Sequence, residues 1–78
     1  MASYAEMVKA VNSEIRKVVK YVLDNPDRVV NVNALILELG GKHGANEKMV
    51  YKIIKRHQDQ NPGLGLDEDE LFFEKVKK

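Results

Sequence analysis

Lys48, Lys52, Lys55 and Arg56 are the residues of this 78-residue chain whose type and spacing point most directly to chemistry. Cations at i, i+4 and i+7 of a helix can reach several phosphates of a nucleic-acid backbone at once. The same positions suit a plainer role, since the solvent face of any helix carries lysines for solubility. At 100° per residue, Val50, Ile53, Ile54 and His57 fall on the opposite side, with Met49 at their margin and Tyr51 at the edge of the basic face. Lys42 and His43 lie just upstream. The candidate binding set is therefore Lys42, His43, Lys48, Tyr51, Lys52, Lys55 and Arg56. Specific base reading would call for Arg, Asn or Gln at the start of the helix. Only Asn46 stands there, where it is expected to serve as a cap, so phosphate contact outweighs base reading.

Other motifs carry less. Gly41-Lys42-His43-Gly44 matches the GxxG loop that clamps a nucleic-acid backbone in KH domains, but too few strands surround it, and an ordinary glycine turn is the simpler reading. His57 on the apolar face is expected to be a core histidine with a hydrogen-bond partner, and His43 to lie in a loop. Two histidines fourteen residues apart, in a chain without cysteine, form no recognisable metal site. Asp67-Glu68-Asp69-Glu70 lacks the glycine and ligand spacing of a calcium loop, so it reads as a solvated turn or a helix cap. Neither Ser3 nor Ser13 sits in a nucleophile setting, and there is no phosphate-binding loop or dinucleotide fingerprint. The expectation is a binding module, not an enzyme, with no cofactor.

Composition sets the frame. A chain this short makes one domain, 1–78, that buries only about 60–65% of its unfolded surface, so a substrate cavity would compete with the core. Without cysteine the core must hold by packing. No apolar run approaches the ~20 residues that span a bilayer, and no signal-peptide pattern opens the sequence. The expected setting is intracellular, cytoplasmic or nuclear, away from membranes. Net charge is +1, modest for a nucleic-acid binder, but unevenly spread. Lys42 to Arg56 holds five Lys/Arg against one acid, and Asp67 to Glu70 is wholly acidic.

Elements that could position the basic face follow from periodicity. Ser3 and Glu6 have capping-box spacing. Tyr4, Val8, Val11, Ile15, Val18, Val19 and Val22 then mark one helical stripe, stopped at Asp24-Asn25-Pro26-Asp27. Arg28 to Val32 suits a short strand. Asn33 is the expected N-cap of a second helix, Ala34 to Leu39, closed by Gly40-Gly41. Most of its apolar residues should be buried, with Ile36 or Leu37 left exposed. A third helix runs from an Asn46 cap to Gln60. The C-terminal third reads two ways. Leu64 to Leu66 and Leu71 to Val76 can form a hairpin around Asp67–Glu70. Capping-box spacing of Asp67 and Glu70 supports instead a fourth helix over 68–77. The hairpin gives a mainly α (α+β) fold, a three-helix helix-turn-helix core with a C-terminal β-hairpin; the other reading gives a four-helix domain.

The order helix, strand, helix, turn, helix, hairpin resembles the winged-helix superfamily. Val50-Tyr51-Lys52-Ile53-Ile54-Lys55-Arg56, a Pro-containing loop, an acidic turn and Glu70-Leu71-Phe72-Phe73 are similar to the C-terminal winged domain of the large subunit of general transcription factor IIF. The winged domain of replication protein A looks similar in the same places. A longer first helix and the added Gly41-Lys42-His43-Gly44 depart from that pattern. The fold's common use implies DNA binding through helix three. The transcription-factor likeness implies protein interaction instead, with an acidic amphipathic partner segment docking between helices two and three near Ile36, Leu37 and Tyr51.

Overall fold

In the computed structural model, which describes residues 3–74, three helices pack on a small antiparallel sheet. Helix α1 spans Tyr4–Asp24. The Glu6 N–H donates to Ser3 Oγ at 3.2 Å, which fixes its start. Val11, Ile15, Val19 and Val22 form its buried stripe, with Met7, Val8 and Val18 packed at the margins. Tyr4 was expected in that stripe, yet it is exposed: it lies in the first turn, where the helix has little left to pack against. At the other end Asn25 caps the helix, its Nδ2 donating to the Tyr21 carbonyl at 2.8 Å.

Strand β1 is Val29–Asn31, and it converts directly into helix α2, Val32–His43. The expected cap, Asn33, is displaced by Asn31, whose Oδ1 accepts from Ala34 N–H at 3.0 Å. Burial explains the earlier start: Val32 is wholly buried, and its N–H donates to the Asp69 carbonyl at 2.7 Å. The far end of α2 also differs from expectation. Gly40 and Gly41 do not close the helix; it runs on to His43 and ends at Gly44, whose φ of +70° is left-handed. That conformation is nearly free for glycine and strained for any residue with a Cβ. The tract 41–44 is thus a last helical turn, not a clamp loop, and His43 is its final helical residue.

Gly44, Ala45 and Asn46 make the turn to α3, Glu47–Gln60, where Asn46 Oδ1 accepts from Met49 N–H at 2.9 Å. Met49, Val50, Ile53, Ile54 and His57 are buried, as the periodicity requires. Val50, Ile53 and Ile54 join Val11, Ile15, Val19 and Val22 in a single core that also takes Leu35, Leu39, Leu64 and Leu71. No helix among the described residues is long and apolar enough to cross a membrane.

The C-terminal third is a hairpin, and the fourth helix is overturned. Strand β2, Leu64–Asp67, pairs antiparallel with β3, Glu70–Phe73, and the sheet order is β1-β3-β2. The strand expected over 71–76 starts one residue earlier and ends at Phe73; residues 75 and 76 lie outside the described part. Leu66 opposes Leu71, and Val30 opposes Leu71 from the other side, which puts these residues on the core face. Gly65 opposes Phe72 on the outer face, and a Cβ there would lie 2.6 Å from the Phe72 ring. The helical signal at Asp67–Glu70 loses because helix formation would leave β1 without a partner and Leu71 outside the core.

Candidate nucleic-acid interface

Helix α3 is positioned by its apolar stripe. With Val50 and Ile54 wholly buried against the core, the residues on the opposite side of the helical wheel must face water. Lys48, Lys52, Lys55 and Arg56 are all exposed, and Tyr51 is half-buried at the edge. At 1.5 Å per residue, Lys48 and Lys55 stand about 10 Å apart along the helix axis. None of these four cations makes an ion pair among the described residues, whose ion pairs involve Lys17 and Lys42 alone.

Lys42 is placed differently. Its Nζ lies 3.1 Å from Glu38 Oε1 and 3.5 Å from Glu14 Oε2, tying the end of α2 to the middle of α1. Hydrogen bonding to Glu38 and the charges of Glu38 and Glu14 raise its pKa, while the nearby Lys42 ammonium lowers that of Glu14. Its charge is already answered, so it has less to offer a phosphate than the four on α3. His43 is half-exposed at the end of the same helix.

Asn46, the one base-reading candidate at the start of α3, has its side-chain oxygen committed to the cap. His57 is 8% exposed, and its Nε2 is 3.0 Å from Asn12 Oδ1, so it serves as a buried link between α3 and α1. Desolvation, followed by the charge of Arg16, holds the imidazole below its ordinary pKa.

The acidic turn holds a feature that the sequence did not disclose. Asp69 is not simply solvated: its Oδ2 accepts from Asn31 Nδ2 at 3.1 Å and from Asn33 Nδ2 at 3.2 Å. The hairpin tip is thereby fastened to the start of α2. No local signal could have found this, because the partners lie 38 and 36 residues away in sequence. Asp67, Glu68 and Glu70 remain exposed, so the wing offers a negative surface.

Leu37 on α2 is 79% exposed, and Ile36 beside it is half-buried. The described residues thus define an α+β helix-turn-helix domain with the layout of a winged helix, one basic helix face and an acidic wing tip. Comparison with protein families, with curated proteins and with solved structures finds no match to the chain.

Proposed function

We propose that the chain binds DNA through the outward face of α3, chiefly by phosphate contacts. The observation that carries this reading is the set Lys48, Lys52, Lys55 and Arg56: four cations on one helix face, exposed and free of ion pairs among the described residues. Each cation that meets a phosphate releases a condensed counterion, a gain that does not depend on sequence. Base reading is modest, since Asn46 is held as a cap. The wing is too short and too acidic to enter a groove, which leaves α3 as the contacting element.

Amide chemical-shift mapping with a DNA duplex in low salt tests this. Shifts at α3 and the preceding turn are expected; unmoved amides there would defeat the reading. One observation favours a second reading, the 79% exposure of Leu37. An acidic amphipathic protein segment could lay its apolar side on Ile36, Leu37 and Tyr51 and its acids on Lys48, Lys52 and Lys55. In that case Leu37→Ala weakens peptide binding more than any single lysine change, and the wild type shows no DNA binding at physiological salt.

A further inference from the structure

The C-terminal halves of α1 and α3 leave between them a groove of about 280 Å³, open to solvent. Arg16, Lys20 and Asp24 line it from α1, and His57, Gln60 and Asn61 from the end of α3. Its volume is several times the roughly 30 Å³ that one water occupies, enough for a hydrated phosphate group. Arg16 and Lys20 stand one turn apart, are both exposed, and make no ion pair among the described residues. Among the described lining residues Asp24, one turn beyond Lys20, is the single acid, so the Arg16–Lys20 end is positive. Asn61 Nδ2 donates one hydrogen to the His57 carbonyl at 2.8 Å and retains the other. The Asn12 oxygen can only accept, so His57 carries its proton on Nε2 and keeps Nδ1 as an acceptor in its neutral form.

We propose that this groove is an anion site that takes one phosphate group between Arg16 and Lys20, with the carboxamides of Gln60 and Asn61 as neutral donors. The guanidinium supplies paired N–H donors suited to phosphate oxygens, and the ammonium supplies a mobile point charge. The phosphate belongs either to a nucleic-acid backbone or to a small phosphorylated molecule. The site does not use the outward cations of α3 and stands whether or not that face binds DNA.

Titrating inorganic phosphate into the isotope-labelled chain, with chloride at matched ionic strength as control, tests it. Saturable shifts are expected at Arg16, Lys20, His57 and Asn61. The His57 pKa should rise, because a bound anion offsets the positive charge of Arg16. Binding should weaken by roughly ten-fold or more in the Arg16→Gln, Lys20→Gln double variant, which loses charge-assisted hydrogen bonds at exposed positions. The Lys48, Lys52 and Lys55 to Gln variant should bind phosphate as the wild type does, which separates this site from the α3 face. A DNA duplex that moves the Arg16 and Lys20 amides of α1, but not in the double variant, assigns the phosphate to a nucleic-acid backbone; a duplex that leaves these two still assigns it to a small phosphorylated molecule. No saturable shift up to the order of 100 mM phosphate, far weaker than a millimolar site, overturns the proposal. Equal shifts with chloride, or in the double variant, also overturn it.

Discussion

Ile53 and Gly44 set the demands that single residues place on this fold. Ile53 is 3% exposed at the contact between α3 and α1. Ile53→Ala should therefore cost about 2–5 kcal/mol in chemical denaturation, the range for a buried large-to-small change; a loss well below one would put the residue on the surface. Gly44 has a left-handed φ of +70°, so Gly44→Ala should destabilise by about 1 kcal/mol although nothing crowds the site. Gly41 has equally open surroundings but lies within α2. Gly41→Ala should stabilise by about 0.5–1 kcal/mol, as alanine does in a helix interior. Opposite signs from two glycines three residues apart would confirm where α2 ends; a loss in both would restore the turn to Gly40-Gly41.

At the scale of elements, the wing depends on Asp69. Asp69→Ala removes the acceptor for Asn31 and Asn33, and thermal unfolding should show a loss of about 1–2 kcal/mol. A charge-reversal test of the wing should therefore spare Asp69 and use Asp67→Lys and Glu68→Lys, which should strengthen DNA binding if the tip lies near the duplex. Long periodic elements were legible in the sequence. The stripe from Val8 to Val22 gave α1, and Val50, Ile53, Ile54 and His57 gave α3 with its face assigned correctly. The hairpin was one of two readings of the C-terminal third, and the capping-box spacing of Asp67 and Glu70 argued against it. The ends of α2 were misread for a tertiary reason. Asn31 displaced Asn33 because Val32 is needed both in the core and in a hydrogen bond to the Asp69 carbonyl. Gly40-Gly41 failed to stop the helix because glycine marks an end only where the backbone turns left-handed, and here that residue is Gly44. Of the candidate site, the α3 cations were legible as a face. That Lys42 is engaged by Glu14 and Glu38, and that Arg16 and Lys20 meet the end of α3, depends on how the helices pack.

At the scale of the whole molecule, the α1–α3 union contains, among the described residues, one titratable buried group, His57, and the sign of its effect can be worked out. Burial, then the Arg16 charge, lowers the His57 pKa in the fold, so the unfolded chain binds its proton more readily. Stability is then full above the unfolded value near 6.5 and is lost as pH falls through the lower folded value. Denaturant titrations should show weakening below about pH 6.5 in the wild type and a flat profile across that window in His57→Gln, which retains a donor for Asn12. Glu14, whose pKa is lowered chiefly by Lys42, acts in the same direction but only at the more acidic pH where carboxylates titrate. Equal weakening in His57→Gln would remove the imidazole as the cause.

The central claim, that the outward face of α3 neutralises phosphates, is tested most directly by the salt dependence of DNA affinity. Each contacted phosphate contributes about −0.9 to the slope of log affinity against log salt. The four exposed cations, together with any contact in the α1–α3 groove, predict a slope of about −3 to −5 for the wild type. Changing Lys48, Lys52 and Lys55 together to Gln should remove about three contacts' worth of slope and most of the affinity. A flat salt dependence in the wild type would contradict the phosphate mechanism, and unchanged binding in the triple variant would contradict α3 as its site.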